Sequence, residues 1–149
     1  MQLTSSAFNH NSFIPEKYTC DGLDINPPLS ISDTPKNTQS LLLIIDDPDS
    51  PAGTFIHWLL WNIDPQTTEI LEKSIPNGAI EGLTSWGKIG YGGPCPNVGT
   101  HRYFFKIFAL DFKINLPSPA NVTKILPLIR NHILDQAQLT GKYSKRINL

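Results

Sequence analysis

Gly90-Tyr91-Gly92-Gly93-Pro94-Cys95-Pro96-Asn97-Val98-Gly99-Thr100-His101-Arg102-Tyr103-Phe104-Phe105 opens as a glycine and proline loop and closes as an aromatic strand. The strand half runs on to Asp111. Tyr103, Phe105, Ile107 and Ala109 fall on one face, and Phe104, Lys106, Phe108 and Leu110 on the other. A period of two with apolar residues on both faces reads as a strand covered from both sides. The loop half has its own chemistry. Glycine lets backbone N–H groups turn without a Cβ in the way, proline stiffens the path, and successive exposed N–H groups form a concavity suited to an anion. His101 and Arg102, at the loop edge of the strand, add charge or hydrogen bonds. The same composition also serves a plain connection between strands. It is not a nucleotide-type phosphate loop, because no Gly-Lys-Ser/Thr follows and Pro94 removes a donor.

Two more strands stand out upstream. Ser40–Asp46 carries the unbroken run Leu41–Ile45, bounded by polar loops, and reads as a buried strand. Thr54–Ile63 alternates Phe55, His57, Leu59 and Trp61 with Ile56, Trp58, Leu60 and Asn62, again apolar on both faces. A lone histidine in such a row reads first as a core residue satisfied by one hydrogen bond. Asp47 and Asp49, around the intervening loop, give His57 a carboxylate within reach and open a functional reading.

The remaining segments are weaker. A short edge strand is predicted near Leu3–Ser5, another over Leu29–Ser32, and a weak one within Ile80–Gly87 ending near Trp86. A short helix is predicted over about residues 121–131, capped by Asn121 or Ser118, or starting at Pro127. His132–Tyr143 fits either period and is read as a final strand. Short strands, dense turns and one late helix give a single all-β domain over residues 1–149, a sandwich.

Composition narrows the partners. The chain has 149 residues, 40% hydrophobic and 17% charged, with net charge −1. That suits one globular domain and argues against nucleic acid, which attracts clustered Lys and Arg. The run Leu41–Ile45 is far too short to span a bilayer, and Met1–Ser6 lacks the basic start and apolar stretch of a secretory signal. The expectation is a cytoplasmic protein. Two cysteines, Cys20 and Cys95, are too few for a disulfide framework or a structural zinc site; the sequence leaves a bridge between them open, and in that compartment both are expected as free thiols.

Asp47-Pro48-Asp49-Ser50-Pro51 followed by His57-Trp58, and Gly93-Pro94-Cys95-Pro96 followed by Gly99-Thr100-His101-Arg102-Tyr103, resemble the two signatures of the phosphatidylethanolamine-binding proteins. Tyr18-Thr19-Cys20-Asp21-Gly22 and Asn26-Pro27-Pro28-Leu29-Ser30 are similar to stretches of its bacterial and archaeal, Raf-kinase-inhibitor-like branch. The resemblance runs from about Leu3 to Tyr143. It implies an all-β fold of two antiparallel sheets packed as a two-sheet sandwich with Greek-key connections, and a small pocket at one end for phosphate-like or acetate-like anions. Carried over by motif, Asp47, His57, Pro94, His101 and Tyr103 match pocket positions, Pro51 and Gly93 shape its wall, and Asp49 serves the loop. Asn97 stands where the branch often has proline, and the chain stops soon after Tyr143, short of the C-terminal helix that flanks the pocket in animal members. A homodimer is a further implication of the bacterial relatives.

Function then reads as a non-catalytic binding or regulatory protein taking a small anion, phosphate or a phosphorylated headgroup, with no cofactor and no metal. An inhibitor docking its pocket rim on a kinase or protease is the alternative, and a phosphoester hydrolase the second. Aspartates and histidines can hold Zn²⁺ or move protons, but their spacing matches no standard metal motif and no Gly-x-Ser-x-Gly nucleophile is present. A carboxylate beside a bound anion needs a proton nearby, which imidazoles titrating near ~6.5 can supply.

Overall fold

The computed structural model describes residues 1–145. Nine strands and one helix follow in order: β1 (Gln2–Thr4), β2 (Ser12–Phe13), β3 (Leu29–Ser32), β4 (Ser40–Asp47), β5 (Phe55–Ile63), β6 (Glu69–Ile70), β7 (Ile80–Glu81), β8 (Thr100–Leu110), α1 (Val122–Ile129) and β9 (Ile133–Ser144). They form a sandwich of a three-stranded sheet, β1-β3-β6, and a six-stranded sheet, β2-β9-β8-β4-β5-β7. After β7 the chain returns by a long loop to lay β8 on the far side of β4, a Greek-key crossing. One pairing departs from the antiparallel expectation: β2 runs parallel to β9, Ser12 opposite Gly141 and Phe13 opposite Lys142. A two-residue edge strand entering from a distant loop has no hairpin to fix its direction.

The three long apolar segments are the centre of the large sheet, and each is buried on both faces. On the inner face Leu41, Leu43, Ile45, Phe105 and Ile107 meet Leu3, Leu29, Ile31 and Ile70 of the small sheet. On the outer face Leu42, Ile44, Leu59 and Trp61 are covered by Ile125 and Ile129 of α1. Leu41, Leu42 and Leu43 are all fully buried, each contributing about 1.5–3 kcal/mol.

Strict alternation holds along β4 and β8 but fails along β5. The pairing jumps from Ile45↔Trp58 to Asp46↔Ile56, leaving His57 as an extra residue, and a second irregularity lies between Leu41↔Ile63 and Leu43↔Leu60. The first bulge turns His57 and Trp58 to the same side: Trp58 belongs to the inner core, and the His57 ring lies against inner-face Tyr103. Bulges re-aim side chains in this way, so the predicted split of His57 from Trp58 is corrected.

Three weaker readings are also refined. The strand expected within Ile80–Gly87 covers only Ile80–Glu81. A turn closed by Thr84 N–H to Lys88 O and Gly87 N–H to Thr84 O takes over, with Gly87 at φ +75°. The helix follows Asn121 but encloses Pro127 instead of starting there, and the Asn121 side chain makes no cap to the backbone; it accepts from the Thr123 hydroxyl. Cys20 and Cys95 are not free thiols: they are bonded, with Cα atoms 5.5 Å apart. The thiol expectation rested on compartment alone, and the fold brings the two loops together.

Candidate functional site

β4, β5 and β8 end together at one edge of the sandwich, and the 90–99 loop folds over that edge. Asp47 is the last residue of β4, His57 sits on the bulge near the start of β5, and His101 and Tyr103 lie at the start of β8. With Gly93 they line one cavity of about 620 Å³, a size suited to a small molecule. Pro94 does not line it; its carbonyl accepts the Cys20 N–H at 3.1 Å.

Asp47 and His101 form the polar centre. The Asp47 side chain is 5% exposed and accepts His101 Nδ1–H at 2.6 Å on Oδ2. Its Oδ1 accepts the Asp49 N–H at 2.8 Å. Both carboxylate oxygens are therefore satisfied. His101 is buried rather than a loop-edge residue of little packing. His57 Nδ1 lies 2.8 Å from the Gly92 carbonyl, which can only accept, so Nδ1 carries the proton. Burial pushes the His57 imidazole below its ordinary value, against the Gly92 carbonyl and the Asp47 charge, so it favours the neutral form. Among the described residues no hydrogen bond to either ring's Nε2 is present.

Tyr103 packs between the two imidazoles, edge-on to His57 at 5.2 Å and stacked on His101 at 6.5 Å between ring centroids. Its hydroxyl is buried with no hydrogen-bond partner among the described residues, and the Cys95 backbone lies beside it. Burial and the Asp47 charge raise the phenol far above its ordinary value, so it remains a donor.

The glycine amides differ from expectation. Gly93 N–H points to Asp24 Oδ1 at 2.7 Å and Gly92 N–H to His57 O at 3.0 Å, so both are used within the protein. A Cβ at Gly93 would collide with the Tyr18 carbonyl and the Asp24 carboxylate, so glycine here permits close approach of two segments. Asp49 stands outside the cavity lining and grips Arg102 through Nε at 3.0 Å, Nη2 at 2.9 Å and the backbone N–H at 2.9 Å. Those hydrogen bonds hold its carboxyl down at about 2.

Sequence reasoning missed Asp24, Trp86 and Lys88 in the lining. Trp86, 46% exposed, meets the His57 ring edge-on at 5.0 Å. A tryptophan before a turn glycine was its signal; nothing local linked Asp24 or Lys88 to the loop. Among the described residues, no group of three or more His, Cys, Asp or Glu side chains is placed to hold a metal ion. No helix among them is long and apolar enough to cross a membrane.

Residues 4–144 match the family profile of the phosphatidylethanolamine-binding proteins. The chain belongs to this family. It is 41% identical to a UPF0098 protein of Methanothermobacter thermautotrophicus, covering 97% of this chain and 99% of that one. A UPF0098 protein of Pyrococcus horikoshii is 44% identical over 95% of this chain and 76% of its own. Among solved structures, the phosphatidylethanolamine-binding protein homolog CT736 of Chlamydia trachomatis superposes with TM-score 0.94 at 40% identity, covering 97% of each chain. E. coli YbcL, described as a new member of the mammalian family, gives 0.90 at 27% identity, covering 97% of this chain and 98% of YbcL. Membership in this family makes a binding protein the general reading of the fold.

Proposed function

We propose that this family member is a non-catalytic binding protein whose Asp47–His57–His101–Tyr103 cavity takes a small phosphorylated headgroup. The observation that carries the reading is the pair of engaged Nδ1 atoms: each imidazole is oriented by a protein acceptor, with Nε2 left for a ligand. The charge of the lining refines the ligand. Asp24, Asp47 and Lys88 are the formally charged side chains, so with neutral imidazoles the site carries a net negative charge. A free phosphate dianion meets repulsion there, whereas a zwitterion of the phosphoethanolamine kind offers its ammonium to Asp24 and to the Nε2 atoms, which only accept while Nδ1 carries the proton, and its phosphate to Lys88 and the Tyr103 hydroxyl. Calorimetric titration tests this: phosphoethanolamine binds more tightly than inorganic phosphate, and Asp24→Asn narrows the difference. Equal affinity for both, or no effect of Asp24→Asn, contradicts the zwitterion assignment.

A second reading, an inhibitor docking its rim on a kinase or protease, is favoured by the apolar side chains around the mouth. Trp86, Ile89 and Val98 are 46%, 51% and 81% exposed. Isolated exposed apolar residues are common; three around one opening suit a protein contact. Loss of protease or kinase inhibition in Val98→Asp, with headgroup affinity retained, supports this role.

A further inference from the structure

We propose that the Cys20–Cys95 disulfide is a thiol-exchange site that sets the affinity of this pocket, closing one cavity wall when oxidised and releasing it when reduced. The proposal rests on the reading of the cavity as a binding site. Both cysteines line the cavity and both are solvent-exposed, so an attacking thiolate can reach the bond.

The placement of the bond decides what it controls. It joins the 16–24 segment to the 90–99 loop, 75 residues apart in sequence, and neither cysteine lies in a strand. As far as Pro94 the loop has other anchors: Tyr91 OH to Tyr18 O at 2.7 Å, Gly93 N–H to Asp24 Oδ1 at 2.7 Å, and Cys20 N–H to Pro94 O at 3.1 Å. Beyond Cys95 these anchors stop. Asn97, Val98 and Gly99 are exposed, and among the described residues no hydrogen bond, ion pair or ring contact holds them before β8 begins at Thr100. Yet Cys95, Pro96 and Asn97 form part of the cavity lining. The disulfide is thus the one covalent tie at the free end of an otherwise loosely held wall. The Asp47–His101 pair, fixed by β4 and β8, stays in place when that tie opens.

The chemistry balances with a low-molecular-weight thiol such as glutathione as reductant. Its thiolate attacks one sulfur of the bridge, forming a mixed disulfide, and the other cysteine leaves as a thiolate and takes up a proton. A second thiolate attacks the mixed disulfide, releasing oxidised glutathione and the second cysteine as a thiol. Two electrons pass from two small thiols to the protein disulfide.

The test compares oxidised, glutathione-reduced and re-oxidised wild-type protein with Cys20→Ser/Cys95→Ser, each shown folded by circular dichroism. Backbone ¹⁵N order parameters report the wall without any ligand, and calorimetry with phosphoethanolamine reports the pocket. The expected result is a fall in order confined to residues 95–99, and at least about a tenfold rise in dissociation constant, reversed on re-oxidation and reproduced by the double serine variant. A bond that millimolar glutathione cannot open in the folded protein overturns the proposal. So does a reduced form that loses order throughout β4, β5 and β8, or one whose wall loosens without a change in affinity. If neither redox state binds phosphoethanolamine, the headgroup reading fails, and the order parameters alone then decide whether the wall is released.

Discussion

Asp46 and Asp47 are neighbours on β4, each 4% exposed, yet they face opposite sides of the sheet and meet different chemistry. Asp47 points to the loop-covered cavity, where both oxygens are hydrogen-bonded and its partner is the His101 imidazole. Asp46 points to the outer face, where Lys106 Nζ reaches Oδ2 at 2.8 Å and Oδ1 is buried without a partner. The inner pair has both carboxylate oxygens bonded and one imidazole nitrogen left beside a cavity. The outer pair is a fixed charge contact with one acceptor left over. A satisfied carboxylate with a free imidazole nitrogen on a cavity, rather than burial, separates the candidate site from the structural ion pair.

The largest effects come from removing one partner. His101→Ala or Lys106→Ala strands a carboxylate that is at most 6% exposed in its side chain, and each is expected to cost about 3–5 kcal/mol in urea denaturation. A cost below about 1 kcal/mol for either would mean that its aspartate is protonated or reached by water.

The next test replaces both members. Asp46→Leu with Lys106→Met is expected to be neutral or stabilising by about 1–4 kcal/mol, as for other buried pairs, and to leave ligand affinity unchanged. Asp47→Leu with His101→Leu is expected to retain the fold but lose binding. If the outer double variant also loses binding, the contrast between the two faces fails.

A smaller effect follows from pH. Burial holds folded His57 below the value of the unfolded chain, so on acidification the unfolded chain protonates first. Stability is therefore full above ~6.5 and declines as pH falls through the folded value. Thermal melts of His57→Gln against wild type should show this slope flattened in the variant.

The smallest lies at the pocket edge. Arg102→Ala removes a half-exposed partner of Asp49, and solvent screening makes its expected loss of stability in urea denaturation the smallest of the set. Because Asp49 is held at about 2, this contribution is complete above ~4 and vanishes as pH falls toward 2.

The central strands were legible because each carries enough apolar residues to demand cover on both faces, as Leu41–Ile45 shows. The convergence of Asp47, His57 and His101 was readable from motif order and from loops clustering at one end. The two bulges in β5 were not, since Ile56-His57-Trp58 has no glycine or proline to mark the extra residue. The fate of the Gly92 and Gly93 amides was equally hidden: their acceptors, His57 O and Asp24 Oδ1, are 35 and 69 residues away in sequence. The disulfide needed the spatial approach of two loops that composition does not encode.

The account stands most directly on whether the inner pair, and not the outer one, receives an anion. Sulfate is a suitable probe because its own charge is constant between pH 5.5 and 8, so any pH dependence belongs to the protein. Calorimetry at both pH values should include wild type, His101→Gln, which keeps a donor for Asp47, and Lys106→Gln. The account predicts weak binding at pH 8, where neutral His57 leaves the lining negative, tighter binding at pH 5.5, where more of His57 is protonated, at least about a tenfold loss in His101→Gln, and wild-type affinity in Lys106→Gln. Binding that ignores pH, survives His101→Gln intact, or depends on Lys106 would contradict it.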